Sequence, residues 1–169
     1  PAAYQRVFAA CAADAACAAA YPEPEAALAT GLQALDANPP SLTVKTAEGE
    51  LAVSVDSTLA MRALFMTLYT PGGYATVPWL AYELRDGNFA PLTNNIPMLF
   101  ETSGSLAKMM HFAVVCSDDP IFSLDDVVTD GVPPMYQGVQ VDDLLDYATA
   151  CPLLALPQLP DRYDELAEA

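Results

Sequence analysis

Positive charge is the scarcest property of this sequence: six Lys+Arg stand against 22 Asp+Glu, a formal net charge of −16. So acidic a surface repels phosphate backbones and anionic lipid headgroups, which excludes nucleic acid as a partner and disfavours membranes. No apolar run approaches the roughly 20 residues that a bilayer-spanning helix requires. Histidine and tryptophan occur once each, as His111 and Trp79. Zinc is a poor reading: Cys11 and Cys17 are separated by five residues, Cys116 and Cys151 lie far away, no Cys-x-x-Cys pair occurs and His111 is the one histidine, so neither metal nor cofactor is expected. Gly-x-Ser-x-Gly is missing, and with it the nucleophile elbow; Ser103-Gly104-Ser105 lacks the flanking pattern. The glycine-rich phosphate fingerprints are missing too, which leaves Gly72-Gly73 as a turn. With no serine in a suitable context, His111 reads as a packed, hydrogen-bonded residue of the apolar run Met109–Val115.

What is present describes a folded chain. Hydrophobic residues make up 53% and charged residues 17% of 169 positions, enough for one domain, 1–169, with its own core. The start, Pro1-Ala2-Ala3-Tyr4, has no basic flank, apolar stretch or initiating methionine. It reads as a processed or excised piece. Four cysteines allow three disulfide connectivities, and their even number favours an oxidising compartment.

The periodicity predicts a mainly α fold with one β-hairpin and no parallel sheet. Tyr4, Val7, Phe8 and Cys11 recur at helical spacing among alanines over 4–20. On a continuous helix Cys11 and Cys17 would face different ways, so a bridge between them requires a break, for which Asp14 offers a cap. A second helix is expected over 23–37, with Leu28, Leu32 and Leu35 on one face and Asn38-Pro39-Pro40 ending it. Leu42, Val44 and Thr46, then Leu51, Val53 and Val55, alternate as in a hairpin. Asp56-Ser57-Thr58 offers an N-cap for a helix whose apolar stripe would be Met61, Leu64, Phe65, Leu68 and Tyr69. Another helix starts near Val77-Pro78 and stops at Gly87. Residues 92–110 are expected to be helical with breaks at Pro97 and Gly104, and 111–116 to form a short strand or extended segment. A helix is expected over 141–150 with Asp142 and Asp143 in its first turn, followed by a stretch kept extended by Pro152, Pro157 and Pro160. A last helix is expected to start at 163.

Between Lys108 and Arg162 there is no lysine or arginine, but Asp118, Asp119, Asp125, Asp126, Asp130, Asp142, Asp143 and Asp146 all fall there. Helix capping and a solvated face account for such a run. The functional reading is a pocket that receives a substrate ammonium through charge-assisted hydrogen bonds.

Five segments, in order, resemble the lid insertion of α/β-hydrolases of the tripeptidyl/prolyl aminopeptidase type. They are Cys11-Ala-Ala-Asp14-Ala-Ala-Cys17 before Tyr21-Pro22; the hairpin with the 59–69 helix; Tyr74-Ala-Thr-Val77-Pro78-Trp79-Leu80 followed by Leu84-Arg85-Asp86-Gly87-Asn88; His111-Phe-Ala-Val-Val-Cys116-Ser117-Asp118-Asp119; and Cys151. The resemblance implies a helical lid or cap, not catalytic alone, covering the hydrolase core of the same parent chain. The parent would be a serine peptidase, secreted or periplasmic, that takes peptide substrates by their N-termini. By position Asp118 and Asp119 match the family's Glu-Asp and would bind the substrate amine; Trp79 and Tyr82 would line the cavity. Disulfides Cys11–Cys17 and Cys116–Cys151 follow from the same resemblance. A lid without its body is expected to expose an apolar underside, and so either to self-associate or to retain a groove. The competing reading is an independent secreted acidic helical module that binds cationic peptides or a partner protein.

Overall fold

Alanine dominates the first 20 residues and costs no side-chain entropy in a helix. In a computed structural model this stretch forms α1 (Ala2–Ala13) and α2 (Ala15–Ala20). The structure describes residues 2–47, 49–70, 72–99, 107–118 and 129–159, with Ser123, Asp125 and Val127. The expected break falls at Asp14, whose side chain accepts the Cys17 N–H at 2.8 Å and caps α2. The kink brings Cys11 and Cys17 into a disulfide with Cα atoms 5.1 Å apart.

The remaining elements are α3 (Pro24–Ala37), β1 (Ser41–Thr46), β2 (Gly49–Ser54), α4 (Ser57–Thr67), a 3₁₀ turn (Gly73–Thr76), α5 (Val77–Arg85), a second 3₁₀ turn (Ala90–Asn94), α6 (Lys108–Asp118) and α7 (Pro134–Leu154). Residues 96–99 are also helical. Among the described residues the strands form a single antiparallel pair, with Leu42 opposite Val53 and Val44 opposite Leu51. The fold is mainly α, with one hairpin and no parallel sheet among these residues.

The chain divides into two compact units. The first takes residues 1–104 and 132–136, the second 105–131 and 137–169; α7 gives its first residues to the former and the rest to the latter. The core of the first unit follows the sequence closely. Leu28, Leu32 and Leu35 of α3 are buried, and α3 packs most extensively on α5. The contact is close because Gly31 has no side chain: a Cβ there would lie 2.7 Å from the Leu84 backbone. Asp56 caps α4 by accepting the Leu59 N–H at 2.8 Å, and Asp36 of α3 accepts the Ser57 N–H at 3.0 Å. Tyr4 stacks on Tyr136, centroids 5.8 Å apart, and Tyr136 reaches Glu25 at 3.3 Å. Burial holds both phenols well above their ordinary pKa, because the charged phenolate loses its hydration.

Several expectations are corrected. Phe65 and Tyr69 are exposed and pack edge-to-face on each other at 5.2 Å, because α4 turns its small residues Ala60 and Ala63 inward beside Met61, Leu64 and Thr67. Residues 111–116 are helical within α6: Phe112, Val115 and Cys116 lie at i, i+3 and i+4, and that face carries the disulfide. α7 begins at Pro134, not near 141, so Asp142 and Asp143 sit mid-helix, away from its first turn. Proline suits a helix start, where its missing N–H would be unpaired anyway. Pro152 lies inside α7, in its last turn, where the helix has only two residues left to run; 155–159 are non-helical. Of 92–110, the first part forms the 3₁₀ turn and the helical residues 96–99; 100–106, with Gly104, lie outside the described residues, as do Pro160 and the expected helix from 163.

Candidate functional site

Cysteine chemistry holds the second unit. Cys116 of α6 and Cys151 of α7 form a disulfide, Cα atoms 5.1 Å apart. One helical turn towards the start of α6, Phe112 packs edge-on against Tyr147 of α7 at 5.4 Å, and His111 Nε2 meets the Tyr147 hydroxyl at 2.6 Å. The Leu159 N–H donates to the Ser117 carbonyl at 2.7 Å and ties the segment after α7 to the end of α6. His111 is thus hydrogen-bonded, as its apolar setting predicts, but it is exposed on α6.

With one face of α6 committed to α7, the opposite face is open. Met110 and Val114 are 67% and 58% exposed, and Asp118 is exposed at the end of the helix. These residues fall at i, i+4 and i+8, which stacks them in one stripe on successive turns. The stripe therefore runs from a thioether through a branched aliphatic group to a carboxylate. The last carbonyls of a helix carry partial negative charge, so Asp118 adds its charge to a potential that already favours a cation. Asp119, its expected companion, lies outside the described residues. Among the other aspartates of the run, Asp125, Asp130 and Asp146 are exposed.

In the first unit, the two aromatic residues expected together have separate roles. Tyr82 is a fastener: its hydroxyl donates to the Pro22 carbonyl at 2.5 Å, its ring meets Tyr21 edge-on at 5.4 Å, and the Arg85 guanidinium lies 4.0 Å from its centroid. Arg85 is in turn held by Asp86 at 2.7 Å; that hydrogen bond raises the pKa of the guanidinium and lowers that of the carboxyl. Tyr82 does not line the neighbouring cleft, whereas Trp79 does.

That cleft has a volume of about 490 Å³ and lies where α4, the two 3₁₀ turns and α5 meet. Thr67, Thr70, Thr76, Asn88, Asn94 and Asn95 supply its polar groups, and Trp79, Leu80 and Pro91 its apolar walls. Gly73 sets the depth, because a side chain there would collide with the Thr67 carbonyl and the Thr70 hydroxyl. Nothing in the sequence analysis singled out these threonines and asparagines. The available signal was their clustering in the two segments that flank α5, and it resembles ordinary turn composition.

A second concavity of the first unit, about 640 Å³, is walled by Phe8, Ala9, Ala12, Pro24, Ala26 and Met135, with Glu23 and Glu25 as its charged lining residues. Among the described residues no group of three His, Cys, Asp or Glu is placed to hold a metal ion, and no helix is long and apolar enough to cross a membrane. No family model, curated protein or solved structure matches the chain.

Proposed function

We propose that residues 1–169 form the substrate-gating lid of a secreted or periplasmic serine peptidase of the tripeptidyl/prolyl aminopeptidase type. In this reading Asp118 receives the ammonium of the substrate N-terminus, and the attacking serine is supplied by the hydrolase core of the parent chain. The observation that carries it is the exposed stripe Met110–Val114–Asp118. An apolar track that ends in a carboxylate matches the first residues of a peptide, which present side chains and a single terminal cation. The ordered sequence segments support the same reading, and the two disulfides are compatible with an oxidising compartment.

The test uses the full-length enzyme that contains these residues. Asp118→Asn keeps the shape and removes the charge. It should raise KM for a tripeptidyl anilide with a free amine about 10- to 100-fold, as expected for losing one charge-assisted hydrogen bond, and leave N-acetylated substrate unaffected. Equal losses on both substrates, or no change on either, would count against the assignment. One observation favours a second reading, an independent module for cationic peptides: the concavity whose lining carries Glu23 and Glu25. On that reading Glu25→Gln weakens binding of a basic peptide, and Asp118→Asn does not.

A further inference from the structure

We infer that the Trp79 cleft is a binding site for an uncharged, hydroxyl-rich ligand, namely a ring of a neutral saccharide. The inference is independent of the lid proposal and uses none of the residues of the α6 stripe. Charge comes first. Among the described residues no Asp, Glu, Lys, Arg or His lines the cleft, although the chain carries a net charge of −16. An anionic ligand is repelled by the chain as a whole, and a cationic one finds no carboxylate among the described lining residues.

Hydrogen-bonding character comes second. Thr67, Thr70 and Thr76 each donate their hydroxyl hydrogen to a backbone carbonyl, at 2.6, 2.9 and 2.7 Å. Their oxygens are thereby left to act as acceptors. Asn94 and Asn95 add carboxamides, each bearing two donors and an acceptor. A ligand hydroxyl both donates and accepts, so it can satisfy both kinds of group at once. A purely apolar ligand would leave them unpaired, which is costly in a cleft.

The aromatic wall comes third. Trp79 lines the cleft and is 38% exposed overall. Its electron-rich face attracts the weakly positive C–H groups of a sugar ring, while the ring's hydroxyls remain free for the threonines and asparagines. The volume of about 490 Å³ falls within the range of small-ligand sites.

Trp79 is the only tryptophan in the chain, so its fluorescence reports on this site alone. The full chain should be titrated with maltotriose, cellotriose, mannotriose and N,N′,N″-triacetylchitotriose. At least one should change the emission saturably. Asn94→Ala with Asn95→Ala should weaken that ligand about tenfold while far-UV circular dichroism stays unchanged. Trp79→Phe, followed by calorimetry, should weaken it as well. If none of the four sugars changes the emission or gives heat, the inference fails. It also fails if acetyl-trialanine-amide titrates the emission as tightly as the best sugar, because the cleft then reads peptide amides, or if the asparagine variants bind the sugar unchanged.

Discussion

The described residues of the two units bury different groups. The first has an apolar core in which Leu28, Leu35, Val44, Val55, Leu64, Leu92 and Ile96 retain no exposed surface. Among the described residues of the second, only Cys116 and Cys151 are buried, and they are bonded to each other. Among the described residues, the groups buried in the first unit are thus mostly apolar side chains, and those buried in the second are the two half-cystines, flanked by the His111–Phe112–Tyr147 contacts. The disulfides differ accordingly. Cys11–Cys17 spans a separation of six residues and limits the unfolded chain by about 2 kcal/mol, whereas Cys116–Cys151 spans 35 and limits it by about 4 kcal/mol. The second unit holds the more effective crosslink and also the open apolar stripe.

The contrast is broken most strongly by replacing Cys116 and Cys151 together with alanine. The second unit should lose about 4 kcal/mol and its amide protection by hydrogen exchange, and α1–α5 should keep theirs. Uniform loss across both units would show that they are not separately stabilised. Leu28→Ala should have the reverse pattern, at a cost of about 3 kcal/mol to the first unit in a denaturant titration, since its side chain is fully enclosed. Gly31→Ala should cost about 2 kcal/mol by forcing α3 away from Leu84, and Gly31→Ser no less. Alkali should act on the first unit through Tyr4 and Tyr136. Their folded pKa values are raised, so the native state retains protons that the unfolded chain has released. The stability they contribute is whole below the ordinary phenol value of 10.0 and falls as pH rises above it. Tyr4→Phe, followed by pH-dependent unfolding, should flatten that alkaline limb.

The same contrast explains how much was legible in the sequence. In the first unit the determinants are local: Asp14 and Asp56 cap the helices they precede, and the leucines of α3 recur at the spacing that buries them. The error at Phe65 and Tyr69 is also local. The buried face of α4 keeps Met61 and Leu64 of the expected stripe and is completed by Ala60, Ala63 and Thr67, while Phe65 stays exposed and Tyr69 follows the helix end, an outcome that periodicity weighted by side-chain size overlooks. In the second unit the determinants are remote. The β-branched Val114 and Val115 favour a strand, but the disulfide to Cys151 and the Tyr147 contacts fix α6 from 35 and 36 residues away. Of the candidate site residues, Trp79 reaches a cleft. Tyr82, three residues on, is occupied by Pro22, a partner 60 residues away that spacing cannot reveal. Asp118 is legible as an acid, but its position at the end of an exposed stripe follows only once α6 is known to be a helix.

On the lid reading proposed above, the activated serine would belong to polypeptide outside these residues, while α1–α7 would cover and select. The most direct measurement is fluorophosphonate labelling of the full-length protein that contains residues 1–169, with the modified peptide located by mass spectrometry. The account predicts one labelled serine, outside residues 1–169 and within a Gly-x-Ser-x-Gly segment. A labelled serine inside residues 1–169, or a full-length protein that hydrolyses peptidyl anilides without taking up the label, would contradict it.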